Sequence, residues 1–183
     1  MARVTADRAE LIREIDAAVE RLLTTAGRLT DADVRPPSLL PGWTRAHVLT
    51  HLARGAEALR NLLVWARTGV ETPAYPSREA RDADIEAGAG RSSAELLADL
   101  SLTAGVFRAE VDAMPDEAWS AMVGAPGLPD FPAEEVLVRR LVELELHHVD
   151  LDIGYGPADW PPLFAGLELP EPLHTWREDR RKR

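Results

Sequence analysis

Between Ser92 and Pro115 the chain carries apolar residues at Leu97, Leu100, Ala104, Phe107, Val111 and Met114. Steps of three and four put them on one stripe of a 3.6-residue period, the signature of an amphipathic helix. Ser92 with Glu95 makes a capping box, and Pro115 ends what the box begins. Such a stripe cannot be buried by one helix alone, so the rest of the chain has to supply partners for it.

Three partners are legible. Residues 6–27 repeat the period with Ile12, Ile15, Val19, Leu22 and Ala26, with Asp7 and Glu10 as a capping box and Gly27 as the stop. A connector over 30–43 is broken by Pro36, Pro37, Pro41 and Gly42. Thr44 then caps a helix reaching about Thr68, with Val48, Leu52, Gly55, Leu59 and Leu62 inward and Trp43 stapling its start. Residues 69–91 are punctuated by Gly69, Pro73, Pro76, Gly88 and Gly90, with a short helical piece inside. A connector of that length is more often functional than idle.

After the Ser92 helix, one turn over Asp116–Trp119 and a Gly- and Pro-rich loop over 120–131 lead to a fourth helix over 131–153, announced by Asp130 and Pro132. Within it VELEL alternates as a strand would, but the run exceeds 20 residues and strong helix formers flank it. Its core face is Leu137, Leu141, Leu144, His148 and Leu151. Val138, Val142, Leu146 and Val149 on the far side imply neighbours on both flanks. Pro157, Pro161, Pro162, Pro170 and Pro172 follow, so the end reads as a short irregular tail, with Arg180 to Arg183 a solvated basic terminus. The expected fold is all-α: an antiparallel four-helix bundle over residues 1–153 with a proline-rich extension over 154–183.

Composition narrows the partners. With 28% charged and 45% apolar residues the chain is globular. Its net charge of −10 opposes a nucleic-acid partner. It has no cysteine, so any thiol chemistry needs a thiol brought from outside. The first ten residues lack the apolar centre of a signal peptide, and no apolar run approaches a membrane span. The expectation is a cytoplasmic protein without a membrane partner, a monomer or weak dimer.

Ligand-type residues gather on two of the helices. Glu143 and His147 are four apart, which puts a carboxylate and an imidazole one turn apart at the edge of the core face. The second helix offers His47 or His51, again four apart. Two imidazoles and one carboxylate form a catalytic metal set that keeps a fourth position open. The nitrogen and oxygen donors suit zinc, with nickel, iron and manganese as alternatives. Asp150, three residues after His147, is placed to orient a ligating imidazole. Spacing alone leaves open a plain hydrogen bond at the core edge; the convergence of two packed helices favours the metal. By the same spacing Arg81 is an ordinary surface charge, Glu145 faces solvent and His148 faces the core.

LPGWTRAHVLTHLA (residues 40–53) and ELELHHVDL (residues 143–151) resemble the opening and closing signatures of the DinB-like metal-binding bundles. YPSREARDADIEAGAGRSSAELLADL (75–100) and GYGPADWPPLF (154–164) are similar to one branch of them, the mycothiol-dependent maleylpyruvate isomerases. The resemblance implies that His51, Glu143 and His147 hold a divalent metal, and leaves His47 and His148 as structural neighbours. It implies that Arg81 meets a substrate carboxylate, and that mycothiol is the thiol cosubstrate. The implied reaction is the cis–trans isomerisation of maleylpyruvate to fumarylpyruvate, by thiolate addition, rotation and elimination. Those isomerases continue into a second domain that helps bind substrate, which in residues 154–183 is expected to be truncated or absent. Two other readings stand beside it: a mycothiol S-transferase acting on electrophiles, and a non-catalytic metal-binding bundle whose ion would be closed by a fourth protein ligand such as His47.

Overall fold

A computed structural model describes residues 7–124 and 129–182. In chain order it contains α1 (Arg8–Ala26), α2 (Asp31–Val34), α3 (Arg45–Thr68), α4 (Arg78–Gly88) and α5 (Ser93–Ala113). A two-residue pair, β1 (Met122–Val123) and β2 (Phe131–Pro132), precedes α6 (Glu135–Asp150), and α7 (Pro162–Gly166) and α8 (Leu173–Arg181) follow. The class is all-α. Of the four long helices, α3 packs on α5 and α6, and α1 packs on α6 and α5.

The local signals explain where the long helices begin. Ser92 Oγ accepts from Glu95 N while the Glu95 side chain accepts from Ser92 N, the capping box read from the sequence. Thr44 caps α3 by accepting from His47 N, and His47 Nδ1 accepts from Thr44 N in return, so an imidazole stands where a capping box usually has a carboxylate. At α1 the position is right but the box is not: Asp7 is the N-cap without a side-chain capping bond. The start of α6 also differs. Phe131 and Pro132 pair with Val123 and Met122, and that small ladder delays the helix to Glu135.

Burial follows the stripes. Leu100, Ala104, Phe107 and Val111 of α5 are buried, although Leu102 and Val106 on its other side are exposed. Both flanks of α6 are covered: Leu137, Leu141, Leu144, His148 and Leu151 are buried, and so are Val138, Val142, Leu146 and Val149. This is the hydrophobic sandwiching that the two-sided pattern implied, with α1 and α3 as the neighbours.

Two expectations are overturned. The tail is not irregular: α8 is a nine-residue helix packed on α6. Leu173 is buried, and Arg177, 5% exposed, donates to the carbonyls of Phe164 and Leu167 at 2.8 Å each. Those bonds let a strongly charged helix dock without a long apolar stripe. Arg180 is thereby not a solvated residue; Arg183 lies outside the described residues. Glu145 does not face solvent either. It is 1% exposed, held by Arg21 Nη2 at 2.6 Å and by the Tyr155 hydroxyl. His148, on the core face as expected, stacks on Tyr155 with centroids 3.9 Å apart.

Candidate metal centre

The packing of α3 against α6 brings His51, Glu143 and His147 together. His51 Nε2 lies 2.9 Å from Glu143 Oε2 and 3.1 Å from His147 Nε2, and His147 Nε2 lies 3.4 Å from the same carboxylate oxygen. Donors bound tetrahedrally at about 2.0–2.1 Å from an ion would stand about 3.3 Å from one another. The triangle is therefore close to the size that a divalent cation needs. Glu143 Oε2 is buried and receives no hydrogen bond among the described residues, an arrangement that costs about 1–3 kcal/mol unless something satisfies it. Two imidazole nitrogens facing each other, with an unsatisfied carboxylate oxygen beside them, fit a cation better than a proton network.

Charge around the triangle is arranged for the same end. Burial would raise the Glu143 carboxyl, but the imidazoles of His51 and His147 outweigh it and hold it well below the usual range. Burial pushes the His51 imidazole down, with Glu143 opposing. Burial also opposes the imidazolium of His147, yet the hydrogen bond to Asp150 and the Glu143 carboxylate 3.4 Å away raise it to about 9. The proton held there is the one a divalent cation would displace.

His147 Nδ1 lies 2.9 Å from Asp150 Oδ2, so its proton sits on the far side of the ring and Nε2 is left to face the triangle. Asp150 is fully buried and receives a second charged partner, Arg180, at 2.8 Å through Nη2. The chain Arg180–Asp150–His147 thus runs from α8 to the site. Local spacing suggested Asp150 and hid Arg180, because its partner lies 30 residues away.

Arg81 is brought in by α4. At Gly88 that helix lies against Thr50: an added Cβ would stand 2.3 Å from Thr50 Cγ2 and 2.9 Å from its hydroxyl. This close approach carries Arg81 Nη2 to 3.3 Å from His51 Nδ1, with Asp82 at 2.6 Å from the other end of the guanidinium. An imidazole using its Nε2 lone pair keeps its proton on Nδ1, where Arg81 cannot donate. Ion binding and this contact therefore exclude one another, which would free Arg81 for a ligand. His47 does not join the triangle. Its Nδ1 serves the α3 cap and its Nε2 faces Glu86 at 3.1 Å. Among the described residues the donor group has three members and no fourth protein ligand.

Two cavities meet at the triangle. One, of about 240 Å³, is bordered by Trp43, Arg81, His147 and Arg180. The other, of about 200 Å³, is bordered by Leu59, Leu62, Phe131 and Leu173. His51, Glu143 and Trp176 border both. The side chains of α8 at this junction, Trp176 included, carried no signal in the sequence.

The model of the mycothiol maleylpyruvate isomerase N-terminal domain family matches residues 15–152. The chain belongs to this family. Among solved structures it is similar to a crystal structure of the mycothiol-dependent maleylpyruvate isomerase, at 30% identity and a TM-score of 0.83, over 87% of this chain and 66% of that one. A histidine-to-alanine mutant of that isomerase matches with the same figures. The chain thus spans about two thirds of the length of the isomerase. An uncharacterized protein from Clostridium difficile 630, at 14% identity and a TM-score of 0.65 over 82% of this chain and 96% of that one, shares the fold. No curated protein matches the chain significantly.

Proposed function

We propose that the chain catalyses thiol addition to small electrophiles, with His51, Glu143 and His147 holding a divalent metal and mycothiol as the thiol. The observation that carries this is three donors, and among the described residues no fourth, at the junction of two cavities. A metal so held supplies Lewis-acid charge that lowers the pKa of a thiol and leaves it as thiolate. Zinc is the ion we favour for two nitrogens and one oxygen. We read the four long helices as the antiparallel DinB-like bundle of residues 1–153, and the setting as the cytoplasm. Among the described residues no helix is long and apolar enough to cross a membrane. Two exposed apolar side chains on α5, Leu102 and Val106, are a small enough patch for a monomer or weak dimer.

On maleylpyruvate the chemistry is isomerisation to fumarylpyruvate. The thiolate of mycothiol adds to an alkene carbon, a C–S bond forms, and the π pair moves to the conjugated carbonyl oxygen. The former double bond turns; the pair then returns, the C–S bond breaks and the thiolate leaves, with no net proton change. Arg81, once released from His51, offers two parallel N–H groups to a substrate carboxylate. Asp150, braced by Arg180, keeps His147 in one tautomer and orientation. Trp43, with its ring centroid 5.4 Å from that of His51, walls one side of the site.

S-transfer is the second reading, favoured by the apolar lining of the smaller cavity. It differs in that the enolate takes a proton from solvent at carbon, so that the C–S bond stays and the adduct is the product. The test is turnover of maleylpyruvate and of a panel of electrophiles with mycothiol, with glutathione and with no thiol. Activity that appears only with mycothiol supports the proposal; equal rates without thiol overturn it.

A further inference from the structure

We propose that the smaller cavity is a substrate subsite for an uncharged, ring-sized body, so that the chain prefers electrophiles bearing an aryl or bulky alkyl group over small dicarboxylates. This rests on the thiol-addition reading above and names the class of electrophile for it.

The two cavities at the triangle divide by charge. The larger one is bordered by the guanidiniums of Arg81 and Arg180. The smaller one is bordered by Ala58, Leu59, Leu62, Ala74, Phe131 and Leu173, together with the phenol of Tyr75. Among the described residues the cation on its wall is Arg139, which pairs with Glu135 at 3.3 Å through Nη2 and lies 3.8 Å over the Phe131 ring, while its buried Nε–H has no partner there. Among the described residues its anion is Glu143 itself. A carboxylate entering there would give up water, meet the Glu143 carboxylate and compete with Glu135 for a guanidinium that already carries a partner. An apolar group would meet the surface it needs.

Size and position agree. A dry cavity of about 150 Å³ accepts benzene, so about 200 Å³ holds one ring with a short substituent. The cavity reaches the triangle at His51 and Glu143, and Gly55 lines it with no side chain, its absent Cβ position 3.7 Å from Glu143 Oε2. A ring seated there would place an attached double bond at the triangle. Trp176 is 43% exposed and stands on the wall of both cavities, whereas its helix neighbours Leu173 and Arg177 are buried. A large aromatic left open at such a junction is the surface that an occupant covers.

The test uses the zinc-loaded full chain and two probes: benzylacetone, which is the saturated ring-bearing counterpart of the enone benzylideneacetone, and succinate. Each is titrated by calorimetry and by tryptophan fluorescence. Expected is saturable benzylacetone binding with a fluorescence change that Trp176→Phe abolishes, no comparable binding of succinate in this cavity, and affinity at least about tenfold weaker in Ala74→Leu, which fills the lobe from a connector. Ala58→Phe is the second filling variant, with melting curves and zinc content showing that both are folded and loaded. Succinate binding as tightly as benzylacetone, or filling variants that bind the ring as wild type does, overturns the subsite. The two readings fail separately. If mycothiol supports no reaction but ring binding is lost in the filled variants, the thiol chemistry fails and the subsite stands. If mycothiol-dependent turnover occurs without preference for benzylideneacetone over its methyl analogue, relative to their uncatalysed rates, the subsite fails and the thiol chemistry stands.

Discussion

Asp150→Asn tests whether the far side of His147 shapes the near side. The carboxylate is fully buried, accepts from His147 at 2.9 Å and from Arg180 at 2.8 Å, and these bonds hold it below its ordinary range although burial opposes them. Asparagine has the same shape but carries no charge and turns an NH₂ toward a donor that the carboxylate accepts from. Loss of such an orienting partner typically weakens metal affinity about 10–100-fold, which is about 1.4–2.7 kcal/mol. Separately, one charge-assisted hydrogen bond is worth about 1.5–3 kcal/mol of stability, so the metal-free variant should melt several degrees lower in a chain of this size. Zinc affinity is read by competition with a chelator at pH 7, with Asp152→Asn, an exposed neighbour, as the control that should bind like wild type. An Asp150→Asn protein that is folded and binds zinc as tightly as wild type would refute the orienting role.

Arg81→Ala should leave zinc content unchanged and raise KM for a carboxylate-bearing substrate at least about tenfold, the worth of one charged hydrogen bond; unchanged kinetics would remove Arg81 from the site. Gly88→Ala should destabilise the fold by about 1–3 kcal/mol, because both branches of Thr50 stand in the way of the new methyl; a wild-type denaturation midpoint would show that α4 does not press on α3 as described. Tyr155 gives a pH prediction. Burial and its bond to Glu145 raise the phenol above its ordinary value, so its stabilising contribution is complete below about pH 10, the unfolded value, and is lost as pH rises beyond it. Urea unfolding at pH 8 and pH 11 should show a smaller alkaline loss for Tyr155→Phe than for wild type, and equal losses would contradict the assignment.

The long helices and the triangle were legible because their signals are local. Ser92 and Glu95, or Thr44 and the stripe from Val48 to Leu62, lie within a few residues of one another, and Glu143 and His147 share one turn. His51 entered through the motif that contains it, since spacing alone did not separate it from His47; the structure separates them because both His47 nitrogens are engaged elsewhere. What stayed hidden depends on distant partners. Glu145 looked solvated until Arg21, 124 residues away, came to meet it. The final helix looked like a tail because its docking rests on Arg177 and Arg180 with Leu173 as its one buried apolar residue. Arg140 is a similar case: it is buried among the long helices, donates to the Leu52 carbonyl at 3.0 Å, and is pushed down to about 10 by that burial. No periodicity marks an arginine for such a place.

The central claim is that His51, Glu143 and His147 hold an ion with room left for an incoming sulfur. Cobalt-substituted protein titrated with mycothiol reads this directly, through sulfur-to-cobalt charge-transfer absorption. A saturable band with mycothiol, absent in His51→Ala and Glu143→Ala because they fail to hold the ion, is the predicted result. Cobalt bound stoichiometrically with a spectrum that mycothiol leaves unchanged would contradict it.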